Sequence, residues 1–126
     1  MTEQELIHRA REAAKAAYAP YSHFPVGASL LTKGGEVISG CNVENASYGL
    51  AICAERVAIF SAIAQGFRHF EMMAIVTPTE SLASPCGACR QVLYEFAPEM
   101  PLVLAGHSEE FQVKLVKDLL PGPFQL

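Results

Sequence analysis

The sequence predicts an α/β domain, a three-layer α/β/α sandwich built on a central mixed sheet of about five strands. Three observations predict it. Helical and strand patterns follow one another in the order α-β-β-α-β-α-β-β, which gives a sheet covered by helices. Apolar residues make up 51% of the chain, enough to bury a substantial core. One of the helical stretches is apolar on every side, which places it inside. With 126 residues and no internal repeat, low-complexity segment or linker, the chain reads as one domain spanning 1–126.

The elements are justified in order. Thr2 and Glu5 are spaced as a capping box. Leu6, Ala10, Ala13 and Ala17, joined by Ile7, Ala14 and Tyr18, form the apolar stripe of a first helix. "APYSHFP" breaks it. "VGASLLT" and "EVISGCNV" flank Lys33-Gly34-Gly35 and read as a hairpin. Val37, Cys41 and Val43 share one face of its second strand, and Asn42 and Glu44 share the other if the strand runs that far. "ENASYGL" is a loop. "ICAERVAIFSAIAQG" is a second helix, stopped at Gly66. "MMAIVTP" is a short buried strand. "CGACRQVLYEFAP" is a third helix, ended near Pro98, and "PLVLA" and "FQVKL" are two further strands.

Charge and cysteine content narrow the function classes. The net charge is −4 and no basic stretch stands out, which argues against nucleic acid as the main partner. No apolar run reaches the roughly 18–20 residues of a membrane span. "MTEQELIHRAREAAKAAYAP" is charged throughout and has no signal-peptide core, so a cytoplasmic location is expected. Four cysteines, at 41, 53, 86 and 89, are too few and too unevenly spaced for a disulfide scaffold. They are expected to bind metal, do chemistry or pack as small apolar groups.

Cys86 and Cys89 form a Cys-x-x-Cys pair in "SPCGACRQ", but two thiolates do not fill a metal's coordination sphere. Cys53 opens the second helix and Cys86 the third, where helix N-termini favour thiolate. Cys89, Val92, Leu93 and Phe96 fall on one helix face, so Cys89 points inward. Three such ligands leave a tetrahedral zinc with one open position, whereas structural sites are usually closed by four. Cys41 is read as a small core residue, uninvolved in metal; a closed four-cysteine site needs it to leave its strand face. A redox pair explains neither Cys53 nor Glu55. Mid-helix, Glu55 and Cys53 would point to opposite sides. With Cys53 in the non-helical cap, the carboxylate reaches a water on the metal and acts as general base. Three thiolates against Zn²⁺ leave a charge of −1. Arg56 and the amide of Gln91 are candidate donors to the thiolates. His8, His23, His69 and His107 fit no ligand spacing and read as surface or turn residues.

The segments "YAPYSHFPVGASL", "GCNVENASYGLAICAERVAIF", "SPCGACRQV" and "LLPGPF" run from the first helix to the tail. On them the chain resembles the cytidine deaminases, and closely the small homotetrameric kind with three cysteine ligands. The pairing of Cys-Ala-Glu with Pro-Cys-x-x-Cys carries the likeness. Zinc deaminases are known by the signature H-x-E…P-C-x-x-C, and Cys53 stands here at the histidine position. The resemblance implies a cytidine deaminase-like fold and one zinc per chain on Cys53, Cys86 and Cys89. It implies water attack at C4 of cytosine and proton transfer by Glu55 to N3 and to departing ammonia. The products are uridine from cytidine and deoxyuridine from deoxycytidine, a step of pyrimidine salvage. It implies that Phe24 packs on the pyrimidine, the backbone at Ala54 holds the base edge, and Asn42 and Glu44 bind ribose hydroxyls. Tyr48 and Phe124 would reach a neighbouring subunit's pocket in a homotetramer. Only two residues follow Phe124, a shorter tail than the family's. Two other readings are open: a deaminase of a modified cytosine nucleoside such as blasticidin S, and a non-catalytic zinc-stabilised interaction domain. The first would differ at the ribose side; the second would prefer a closed site.

Overall fold

The computed structural model describes residues 1–126. Three α-helices run over Glu3–Ala14 (α1), Ala54–Ala64 (α2) and Gly87–Phe96 (α3). Five strands run over Gly27–Thr32 (β1), Val37–Cys41 (β2), Phe70–Val76 (β3), Pro101–Ala105 (β4) and Phe111–Leu115 (β5). They form one sheet in the order β2-β1-β3-β4-β5. β1 pairs antiparallel with β2 and β3, β3 pairs parallel with β4, and β4 pairs antiparallel with β5. The sheet is therefore mixed. Its parallel pair is joined through α3, because parallel neighbours need a crossover.

Side-chain alternation divides the core. Leu30, Met73, Ile75, Leu102 and Leu104 point to one face and pack with Ala58, Ile59 and Ala62 of α2 and Leu93 of α3. Leu31, Ala74, Val76, Val103 and Ala105 point to the other and pack with Leu6, Ile7 and Ala10 of α1. Every residue of β1 is buried, as a central strand covered on both faces requires. Its one hydroxyl on the α1 side, Ser29 Oγ, donates to the Leu6 carbonyl at 2.6 Å. The Thr2–Glu5 capping box forms as expected.

Two close approaches fix the helices. A Cβ at Gly27 would lie 1.9 Å from the Ala10 carbonyl oxygen, so α1 rests on the start of β1. A Cβ at Gly40 would lie 2.4 Å from the Ala54 carbonyl oxygen and 2.6 Å from the Ala58 nitrogen, so the first turn of α2 rests on β2. That contact sets where the N-terminus of α2 stands.

Several boundaries differ from expectation: β3 runs over Phe70–Val76 rather than 72–78, α2 over Ala54–Ala64 rather than 52–66, and α1 and β2 end early for one shared reason. The apolar stripe continues to Tyr18, but α1 ends at Ala14. The chain then tightens through Ala16 N–H to the Ala13 carbonyl and Ala17 N–H to the Ala14 carbonyl, both at 3.1 Å. β2 ends at Cys41 rather than Val43. Val43 instead bridges Tyr18 on one side and Ile52 on the other, and it is 40% exposed. This three-segment tie outcompetes both the helical stripe and the longer hairpin. No helix is long and apolar enough to cross a membrane.

Candidate metal centre and active site

Cys53 is the N-cap of α2, with extended backbone at φ −79° and ψ 154°, and its thiol caps no backbone group. Cys86 is the N-cap of α3 at φ −66° and ψ 166°. Cys89 lies in the first turn of α3 and is fully buried. The two helices share one face of the sheet and bring the three sulfurs together. Cys53 Sγ and Cys86 Sγ are 3.8 Å apart, Cys86 Sγ and Cys89 Sγ 3.5 Å, and all three lie within 4.8 Å of one another. Ligands about 2.3 Å from a tetrahedral zinc stand about 3.8 Å from each other, close to the spacing of these sulfurs, so the donor set fits that ion. Cys41 is not in the group. Ile38 and Gly40 face α2, so alternation turns Cys41 to the opposite face of the sheet.

The electrostatics follow from these contacts. Hydrogen bonding from the Cys89 thiol, and then from Arg56 and Cys86, lowers Cys53 to about 5 against the opposing effect of its burial. Cys89 moves above the usual thiol range, because its proton is the one shared with Cys53 and because it is buried. Arg56 Nη2 donates to Cys53 Sγ at 3.5 Å, while Arg56 Nε is buried without a partner. The Cys89 backbone N–H donates to Cys86 Sγ at 3.5 Å.

Glu55 opens α2 and is only 5% exposed. Because Cys53 is in the cap and not the helix, the two side chains reach the same cleft rather than opposite faces. Burial raises the Glu55 pKa, and the neighbouring Cys53 thiolate raises it further. It takes part in none of the salt bridges of the structure. The cleft encloses about 290 Å³, and Phe24, Asn42, Glu44, Ala54, Glu55, Cys53 and Cys86 all line it.

Asn42 and Glu44 do more than face the cleft. Asn42 Oδ1 accepts from Val26 N–H at 2.8 Å, and its Nδ2 donates to the Phe24 carbonyl at 2.9 Å. Glu44 accepts from Tyr21 N–H, Ser22 N–H and the Ser22 hydroxyl. Tyr48 and Phe124 lie outside the cleft and are 80% and 70% exposed. Tyr48 meets Tyr21 edge-on at 6.4 Å, beside a second hollow that Glu44 also lines. The expectation for Gln91 is corrected. Its amide exchanges two hydrogen bonds of 3.1 Å with the backbone of Phe124, which leaves it tied to the C-terminal tail and not to a thiolate. Sequence reasoning also missed the Ser22 hydroxyl and the Cys89 N–H, whose roles depend on contacts rather than on residue type.

A mixed α/β/α sandwich that carries three cysteine sulfurs at zinc spacing and a buried carboxylate at the same helix start defines a zinc-dependent deaminase. The family is shown by comparison: the chain belongs to the cytidine and deoxycytidylate deaminase zinc-binding region family, whose profile matches residues 1–105. A cytidine deaminase of Halalkalibacterium halodurans is 49% identical over 98% of this chain and 95% of its own length. The solved cytidine deaminase of Burkholderia pseudomallei superposes with a TM-score of 0.96 at 50% identity, covering 98% of this chain and all of that one. A more distant relative, the blasticidin-S deaminase of Bacillus cereus, is 33% identical over 90% of this chain and 82% of its own length. Zinc is thus the metal of the family, and Cys53, Cys86 and Cys89 can coordinate one ion.

Proposed function

We propose that the chain catalyses the hydrolytic deamination of cytidine and deoxycytidine to uridine and deoxyuridine, with release of ammonia. The observation that carries this reading is Glu55, a carboxylate buried beside the metal centre without an ion pair. Such burial is unfavourable for folding, and its use is chemical. Zinc, when bound, supplies a Lewis acid that makes water a nucleophile at neutral pH. Phe24 packs on the pyrimidine, and the backbone at Ala54 holds its polar edge. Glu55 takes a proton from the water that attacks C4 and delivers it to N3. It then carries the proton of the new C4 hydroxyl to the 4-amino group, and the C4–N bond breaks as the carbonyl forms and ammonia leaves. The raised pKa of Glu55 suits this double use, because the group must give back the proton it takes. The Arg56 hydrogen bond draws negative charge from the thiolates. Asn42 and Glu44 hold the sugar.

The same reading takes the chain as a single-domain cytoplasmic enzyme of pyrimidine salvage that works as a homotetramer. Tyr48, Leu50 and Phe124 are exposed apolar side chains suited to a neighbouring copy, and Tyr48 and Phe124 would complete its pocket. A modified cytosine nucleoside such as blasticidin S is the second reading, favoured by the 33% identical relative. The test is ammonia release over cytidine, deoxycytidine, free cytosine, CMP and blasticidin S, with metal analysis alongside. The variant Glu55→Gln should keep fold and zinc and lose turnover by roughly 10²–10⁴-fold or more. Near-native turnover in that variant refutes the role of Glu55. Free cytosine processed as well as cytidine refutes the sugar contacts.

A further inference from the structure

We propose that Ser22 is a positioning residue that aims the Glu44 carboxylate at one sugar hydroxyl of the substrate. This rests on the reading of the cleft as a cytosine-nucleoside site. Glu44 Oε1 accepts two backbone N–H groups, from Tyr21 at 3.0 Å and Ser22 at 3.1 Å. Oε2 accepts the Ser22 hydroxyl. A carboxylate offers about four lone-pair sites, so three are filled from residues 21 and 22 and one remains, on Oε2. Glu44 can therefore read a single further donor. The oxygen that reads it is the one the Ser22 hydroxyl holds in place.

The Ser22 hydroxyl also accepts from Phe24 N–H at 3.1 Å. The direction of this chain is fixed, since an N–H only donates and a carboxylate only accepts. Ser22 Oγ must accept from Phe24 and donate to Glu44. It thereby couples the residue at the base to the residue at the sugar. Between them His23 has φ 56°, the single non-glycine residue with positive φ. A left-handed residue persists only where its surroundings over-determine it, and here Glu44 and Asn42 grip the chain on both sides of it. The same hydroxyl is foremost in holding the Glu44 carboxyl below its usual range, so the acceptor is charged at neutral pH. Among natural side chains of this size, threonine can repeat the two-way bond and alanine cannot.

The secondary hydroxyl common to the two proposed substrates is the 3′-hydroxyl, and the test is made on it. The experiment measures kcat and KM for cytidine and 3′-deoxycytidine with the native zinc-loaded enzyme, Ser22→Ala and Ser22→Thr. The native enzyme should prefer cytidine by about tenfold or more in kcat/KM, the worth of one charge-assisted hydrogen bond. Ser22→Ala should reduce that preference to within about twofold, through a higher KM for cytidine with kcat changed little. Ser22→Thr should restore it. The preference is a ratio within one preparation, so partial misfolding of a variant does not alter it. An undiminished preference in Ser22→Ala, or none in the native enzyme, overturns the proposal. A native enzyme that releases no ammonia from cytidine overturns instead the reading on which it rests.

Discussion

Cys53 and Glu55 stand two positions apart yet serve one hollow, because the residue between them is where helical geometry begins. That condition was legible in the sequence, since an apolar helix that opens with Cys-Ala-Glu-Arg asks for a reason. So was the metal triad, for thiols at two helix starts and a buried-face cysteine must converge if the helices share a face. Gln91 was not legible, because its partner Phe124 lies 33 positions away and a tail without helix or strand gives no periodic signal. Asn42 and Glu44 line the cleft, but their bonds to residues 21–26 could not be read from residue type alone. The cysteines also differ in reactivity. In zinc-free protein near pH 6.5, Cys53 lies above its pKa of about 5 and is thiolate, whereas burial keeps Cys41 and the shared proton keeps Cys89 in the thiol form. Limiting iodoacetamide should therefore modify Cys53 ahead of Cys41 and Cys89, and prior zinc loading should protect it. Peptide mapping by mass spectrometry reads the order, and equal labelling of Cys41 and Cys53 would contradict the proton sharing.

The elements owe their positions to two contacts of backbone on backbone. Gly40→Ala pushes a methyl group into the first turn of α2, where Ala54 O and Ala58 N already stand. Gly27→Ala pushes one into α1 at Ala10. Each should destabilise by about 1–3 kcal/mol or more, as overpacking does, read as a lower urea midpoint. They should separate in metal content: Gly40→Ala displaces Cys53 and lowers zinc per folded chain, while Gly27→Ala leaves it unchanged, since α1 lies on the other face. Full zinc occupancy in Gly40→Ala would mean that α2 is not positioned from β2. All three helices and all five strands were foreseen, because their apolar periods are long enough to show. The ends of α1 and β2 were not. Tyr18, Val43 and Ile52 meet across the chain, and a pairing between distant segments leaves no mark in either segment's own pattern. Strand order is non-local in the same way.

At the scale of the whole molecule the layers divide the labour. The α1 face holds packing and Cys41, while the α2–α3 face holds the cleft. The metal triad spans the two helices, and Cys53 and Cys86 are 33 positions apart. In polymer language an ion bound there is a reversible cross-link. It closes a loop that contains all of β3 and so removes conformations open to the unfolded chain. By the loop-closure relation such a link is worth about 4 kcal/mol, comparable to a disulfide but formed without an oxidant. Exhaustive chelation should thus lower the thermal midpoint and accelerate amide hydrogen exchange first in the opening turns of α2 and α3, while α1 and β1 stay protected. Uniform acceleration across all elements would count against this. The ion that serves catalysis would then also serve as the clasp of one half of the fold, and an enzyme stripped of metal would lose its grip on structure where it loses its chemistry.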